Sequence, residues 1–273
     1  MKKNIRNIAI TAAALTLTAA TTLTAFAGEQ LAKIQDEGVL KVGIEGTYPP
    51  FTYHDDDDNL TGFDVELARA IAEKLGVEAE FTESAWDSLL TAIDTDRIDT
   101  VINAVSITDE RSLKYDFSNP YLFVSRNIIV RGDNEDIKSL EDLDGKKIAT
   151  NATNAYAAVL ENDWGAEIVP IDTSQQAYDL LEQGRVDFMF SSDITFNQYV
   201  EANPDANVKV AFQVNDDVDP IGIPLKKDEL ELLEAVNTAL VELYEDGTLT
   251  SLSEEFFHKD YSVSPEDYEE FNK

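Results

Sequence analysis

Apolar residues recur along this chain in two rhythms: short continuous runs, and longer stretches where they return every third or fourth position. Val39–Glu45 is a run of the first kind between Gly38 and Gly46 and predicts a buried strand. The next five residues, Thr47-Tyr48-Pro49-Pro50-Phe51, must be a loop, because two prolines remove donors and restrict what precedes them. Asp64–Leu75 puts Val65, Leu67, Ala68, Ile71, Ala72 and Leu75 on one face and stops at Gly76, the pattern of a capped helix. Strands over Val77–Thr82 and Ile98–Asn103 bracket a helix over Trp86–Ile93 with Leu89, Leu90 and Ile93 turned inward. Strand–helix–strand–helix–strand at this spacing predicts right-handed crossovers and a parallel sheet.

The alternation restarts after Tyr121. Strands are expected over Asn127–Val130, Ile148–Thr150, Glu167–Ile171, Val186–Phe190 and Val208–Val214, with helices over Asn154–Glu161, Ser174–Glu182 and Ile194–Glu201. The chain then turns helical: Asp228 reads as a cap, Leu230, Leu233, Val236, Leu240 and Leu243 as an apolar face, and Gly247 as the stop. A shorter helix follows over Leu249–Phe257. A helix pair without a sheet of its own has to pack on an earlier unit. The chain is therefore expected to leave the first unit near Tyr121–Arg126 and return near Asp219–Leu225, leaving a cleft between two α/β lobes.

The first 27 residues stand apart from this pattern. Lys2, Lys3 and Arg6 open a run rich in alanine, leucine and threonine that ends in Ala25-Phe26-Ala27, the layout of a cleaved signal peptide. Five threonines between Thr11 and Thr22 dilute it too far for a membrane anchor. There is no cysteine, which excludes disulfides, thiolate metal sites and a lipid anchor at the cleavage site. Removing the signal leaves 18 basic residues against 54 acidic ones. A field of that sign repels nucleic acid and anionic membranes. A periplasmic location is expected, with free secretion as the other outcome.

One stretch concentrates the candidate chemistry. Asn103–Tyr121 begins where an apolar strand runs out, the place where ligands sit in α/β sheets. It carries Arg111, whose planar fork matches a carboxylate at any physiological pH. On spacing alone, a solvated surface charge is an equal reading. For a small zwitterion, Arg111 and Ser106 would take the carboxylate, and Asp193, past the strand Val186–Phe190, would take the ammonium, since both charges must be paired once desolvated. Tyr48 and Trp86 read as cleft walls and Phe51 as core. His54–Asn59 looks like a calcium loop, but Leu60 stands where that loop needs glycine, so an acidic hairpin turn is expected and no metal. No cofactor is expected.

GTYPPF (46–51), LTGFDVELARAIAEKLG (60–76), WDSLLTAI (86–93), SITDER (106–111), YDFSNPY (115–121), DLDGKKIATNATNAYA (142–157), QGRVDF (183–188) and IGIPLKK (221–227) resemble, in order and spacing, the family 3 solute-binding proteins of ABC importers for polar amino acids. The cystine branch is the most similar. The resemblance covers nearly the whole chain after the signal. It implies a two-lobed type II periplasmic-binding fold that closes on an amino acid by hinge motion. Lobe one would be 28–121 plus 225–273, lobe two 126–219, and the crossings 122–125 and 220–224. It further implies that Arg111 holds the α-carboxylate with Ser106 and the Ala104 backbone, that Tyr48 and Trp86 flank the side chain, and that Glu45 is an acid near the ligand. Thr153, Asn154 and Ala155 fall on the carboxylate-binding turn of lobe two, though the glycine usual there is missing. The usual ammonium-binding acid is Ser192 here, which leaves Asp193, one place on, as its substitute. The implied partner is an ABC permease, approached by a monomer. An enzyme of the same fold acting on a cyclic amino-acid precursor is the rival, but only His54 and His258 exist and neither neighbours a nucleophile. A sensory module is the other rival, and it would need a separate signalling partner.

Overall fold

The computed structural model describes residues 29–214 and 218–271; the signal peptide read at 1–27 lies outside the described residues. Two five-stranded sheets define two lobes. In lobe one the order is Glu78–Glu83, Val39–Ile44, Thr100–Val101, Pro224–Lys226, Tyr115–Phe117. The first three strands are parallel, as the crossovers predict, but the last two run antiparallel to their neighbours. In lobe two the order is Glu167–Pro170, Lys147–Thr150, Phe188–Ser192, Arg126–Arg131, Val208–Gln213. Here too a parallel half joins an antiparallel one. The reason is geometric. Arg126 pairs with Ser192, so the strand entering lobe two starts where the parallel strands end and has to run the opposite way.

Helices cover both faces of each sheet, which is why a central parallel strand such as Val39–Ile44 reads as an apolar run, whereas the edge strand Glu78–Glu83 alternates. Phe63–Lys74, Leu230–Glu245 and Thr248–Phe257 pack with Leu40, Val42 and Ile44 in the largest core, whereas Trp86–Asp94 covers the other face through Leu89, Ala92 and Ile93. The terminal helices thus join lobe one. Leu122–Val124 and Asp219–Ile221 pair antiparallel between the lobes.

Local differences from the sequence reading have simple causes. The long helix starts after Glu229, because Asp228 takes a left-handed turn (φ 71°) and gives its N–H to Asp116 instead of capping. Asn154 and Ala155 precede the helix Ala157–Asn162, since the Asn154 side chain accepts the Tyr156 N–H and holds a turn there. The strand expected to reach Asn103 is paired only over Thr100–Val101, and Ala104 turns left-handed (φ 49°). The acidic stretch is a hairpin turn: Asp55 accepts the Asp57 and Asn59 N–H groups between the paired strands Thr52–His54 and Leu60–Thr61.

Gly62 fixes the loop that carries Tyr48. Its φ is +120°, and a Cβ there would lie 2.3 Å from the Phe51 carbonyl oxygen. The flanking N–H groups of Phe63 and Asp64 bond back to Pro50 and Phe51, so the loop is sewn to the helix start. Gly62→Ala is expected to cost about 1–3 kcal/mol of unfolding free energy in urea titrations.

Candidate functional site

A cavity of about 120 Å³ lies between the lobes, at the ends of the parallel strands. Glu45 follows the strand Val39–Ile44. Its N–H bonds Asn103 Oδ1 at 2.9 Å and its Oε2 accepts from Asn103 Nδ2 at 2.8 Å. Asn103 Oδ1 also accepts from Thr52 Oγ1, so this amide is held on both sides. Burial pushes the Glu45 carboxyl up to about 7, with Asn103 opposing and the charge of Asp87 adding. The left-handed turn at Ala104 aims its N–H at the buried Asp64, 2.6 Å away.

Arg111 sits in the one-turn helix Asp109–Ser112, capped by Thr108. Its Nη1 donates to Ser106 O at 3.1 Å, its Nη2 to Thr153 O at 3.4 Å, and its guanidinium lies 5.3 Å over the Trp86 ring. Burial, and then the nearby Arg126, pull its pKa down. Guanidinium still stays charged at any physiological pH.

Arg126 begins the first strand of lobe two. Its Nε donates to Asp219 Oδ2 and its Nη2 to Ser106 Oγ, both at 2.8 Å. Ser106 Oγ donates in turn to Asp219 at 3.0 Å, and Tyr156 Oη to Asp219 Oδ1 at 2.5 Å. Burial lowers the Arg126 pKa, but Asp219 together with Tyr48 and Tyr156 outweighs it and the net shift is upward. Further contacts cross the cleft, the Thr153 hydroxyl donating to Asp87 among them. Tyr48 Oη lies 3.2 Å from Thr195 Oγ1, Trp86 Nε1 donates to Thr153 O at 3.5 Å, and the Thr153 N–H donates to Asp87 at 3.2 Å.

Of the residues expected from sequence, Glu45, Tyr48, Trp86, Ala104, Ser106, Arg111, Asn154 and Ala155 line the cavity. Phe51 is 1% exposed and belongs to the core. Two expected residues do not line it. Thr153 stands at the rim, with its carbonyl taken by Arg111 and Trp86. Asp193 is turned away along the crossing: its carboxylate accepts the Ser125 N–H at 3.1 Å and the Tyr261 hydroxyl at 3.5 Å, and its own N–H bonds Ser125 O. The physical reason is the helix start. Ser192 caps helix Asp193–Ala202 by accepting the Thr195 N–H, so the next side chain points backwards. The Ala104 N–H is likewise committed to Asp64, which leaves its carbonyl for other partners. Sequence reasoning missed Arg126, Asp219, Asn103 and Tyr156. The first two were legible as opposite charges at the two predicted crossings. Among the described residues, no cluster of His, Cys, Asp or Glu is placed to hold a metal ion.

An inter-lobe cavity lined, among the described residues, by one guanidinium with no carboxylate partner and by one carboxylate is that of a small-molecule binding protein. Residues 40–259 match the pattern of the bacterial extracellular solute-binding proteins, family 3, and the chain belongs to that family. It is 40% identical over 252 residues to the L-cystine-binding protein TcyJ of Escherichia coli (strain K12), covering 90% of this chain and 93% of that protein. Among solved structures, an ancestral arginine-binding protein bound to arginine is 38% identical, with a TM-score of 0.75 over 81% of this chain and 98% of that one. The L-cystine solute receptor of Neisseria gonorrhoeae, in its unliganded open conformation, is 39% identical with a TM-score of 0.59, over 87% of this chain and 100% of that one. The lower score against an open form accords with the cross-cleft contacts seen here. No helix among the described residues is long and apolar enough to cross a membrane.

The Glu45 environment carries a stability signature. Its folded pKa lies above the ordinary 4.5, so the folded state holds the proton more tightly than the unfolded chain does. Its contribution is fully present below that ordinary value and is lost as pH rises through about 7. Glu45→Gln is therefore expected to flatten the fall of ligand-free stability across this window and to be more stable than wild type above it, read by thermal melts in a pH series.

Proposed function

We propose that this protein captures an amino acid, polar or cystine, between its lobes outside the cytoplasm and delivers it to an ABC importer by hinge closure. One observation carries the reading: Arg111 and Glu45 face one cavity bounded by both lobes, while the other cation there, Arg126, is already paired with Asp219. A net-neutral pair of opposite charges is the complement of a zwitterion, whose two charges can leave water only if each is met. Arg111 takes the α-carboxylate, helped by Ser106 and the lobe-two turn at Thr153, Asn154 and Ala155. Glu45, ionised on binding, takes the ammonium, joined by the Ala104 carbonyl. Tyr48 and Trp86 flank the side chain. Asp193 acts instead at the hinge, tying the crossing to Tyr261. The relatives that bind cystine support the choice of ligand.

In this reading 28–121 with 225–273 moves as one body against 126–219, pivoting on 122–125 and 220–224. Residues 1–27 direct export to a periplasm, where the protein works as a monomer and its loaded, closed form docks on the permease. The enzymatic alternative would rest on Glu45, among the described residues the one cavity carboxyl poised near neutrality to act as a general acid. Prolonged incubation with candidate substrates, cyclic amino-acid precursors included, is expected to return them unchanged; turnover would favour the enzyme.

A thermal-shift screen over the amino acids, cystine included, is expected to find a ligand that raises Tm by mass action. By calorimetry, Arg111→Ala should lose about 2–5 kcal/mol of affinity for it, as a buried carboxylate loses its partner. Wild-type affinity should rise as pH climbs through about 7, because Glu45 must release its proton to meet the ammonium. Glu45→Gln should abolish that pH dependence and weaken binding more than Asp193→Asn. The reverse order would return the ammonium to Asp193.

A further inference from the structure

Asp64 is a carboxylate buried in lobe one, 0% exposed and outside the lining of the cavity. It stands in the first turn of the helix Phe63–Lys74, where the helix dipole favours an acid. That alone does not account for its hydrogen bond. Asp64 Oδ2 accepts the N–H of Ala104, 40 positions away, at 2.6 Å, rather than an N–H of its own helix. Burial pushes the carboxyl up to about 7, opposed by the Tyr121 hydroxyl and the Ala104 N–H. So costly a burial is understandable where the group it holds acts at the cavity. We propose that Asp64 is a positioning residue for amino-acid capture: through the Ala104 N–H it holds in place the two groups that receive the ligand's ammonium. The proposal rests on the amino-acid reading of the cleft.

The first of those groups is the Ala104 carbonyl. Ala104 has φ 49°, a left-handed conformation that strains a residue with a Cβ and persists only where its surroundings hold it. The bond to Asp64 supplies that hold, and the turn sets where the carbonyl is aimed. The second group is Glu45. Asn103 donates from Nδ2 to Glu45 Oε2, and its Oδ1 accepts the Glu45 N–H and the Thr52 hydroxyl. With Oδ1 facing two donors, the amide can present only Nδ2 to the Glu45 carboxylate. Asn103 and Ala104 share one planar peptide group, so an anchor on the Ala104 N–H also fixes the backbone that carries the Asn103 side chain. Asp64 is itself fixed, because its N–H bonds Phe51 O in the loop that carries Tyr48. The other end of the ligand is served separately: Arg111 rests on the Thr108-capped turn and the Ser106 carbonyl. Loss of the Asp64 carboxylate therefore strikes ammonium recognition and spares the grip on the α-carboxylate.

Calorimetry on the mature protein tests this with two pairs of probes, each an amino acid and its counterpart lacking the α-ammonium: L-cystine with dithiodipropionate, and L-arginine with δ-guanidinovalerate. Wild type is expected to prefer one of the amino acids over its partner by about a hundredfold. Asp64→Ala should narrow that preference by about tenfold and leave the affinity for the ammonium-free partner within about threefold of wild type. Asp64→Asn keeps an oxygen for the Ala104 N–H but a weaker, uncharged one, and should narrow the preference by about threefold. If Asp64→Ala fails to fold, Asp64→Asn alone decides. An equal loss for both members of a pair, or an unchanged preference, would make Asp64 a structural residue only and overturn the proposal, leaving amino-acid capture standing. A wild type that binds neither L-cystine nor L-arginine would overturn it too, and with it the reading of the cleft if the amino-acid screen is also blank.

Discussion

The buried Arg126–Asp219 pair is the joint on which the rest of this molecule turns. Neither side chain is more than 13% exposed, and a buried ion pair is tolerable only when its remaining donors and acceptors are also met. Here they are met by both lobes: Ser106 from lobe one and Tyr156 from lobe two complete the network. Asp219 opens one crossing strand, and Arg126 follows the other by two residues. The same bonds that make the pair affordable in an apolar setting therefore register the lobes against each other. They also neutralise one of two guanidiniums at the cavity, which leaves Arg111 as the cation open to a ligand.

The rest of the site follows a division of labour between lobes. Lobe one supplies the charged groups, each fixed by its own neighbours: Glu45 by Asn103, Arg111 by the Thr108-capped turn and the Trp86 ring. Lobe two supplies mostly neutral hydroxyls, amides and carbonyls around the strand ends and helix starts. Charged anchors on one body and adaptable neutral contacts on the other let a ligand dock first and be enclosed afterwards. Closure then needs no new burial of unpaired charge. Of the contacts that cross the cleft, Tyr48 with Thr195 and Arg111 and Trp86 with Thr153 are single hydrogen bonds of 3.2–3.5 Å, weak enough to be remade when the lobes move, whereas Asp87 holds Thr153 through both its N–H and its hydroxyl.

Much of this was legible in the order of residues. Periodicity located the longer strands of the two sheets to within a few positions, because central strands are covered on both faces and helices have one apolar side, but it missed the three-residue strands Tyr115–Phe117 and Pro224–Lys226, too short to carry a pattern. The stretch around Arg111 could be singled out because the family resemblance of the rest of the chain tipped a spacing that fits a solvated surface charge equally well. The antiparallel members of each sheet could not be read this way, since strand direction leaves no mark on an apolar run. Asp193 shows the finer limit. It sits one residue past the position that the family pattern reserves for an acid, and a helix cap at Ser192 decides that this one-residue shift turns the carboxylate out of the cavity.

By itself the sequence determined the class of fold, the alternation of elements, the export signal as an expectation, and the residue types from which a zwitterion site can be built. Those properties are local: they depend on side-chain period, caps and composition within short windows. Only the tertiary structure decided which charges are spent on each other and which stay open. Asp219 lies 93 positions from Arg126, and Asn103 lies 58 from Glu45, so each partnership exists only after distant parts of the chain have folded together. Long-range pairing sets the effective charge of a cavity, and no window of sequence contains it.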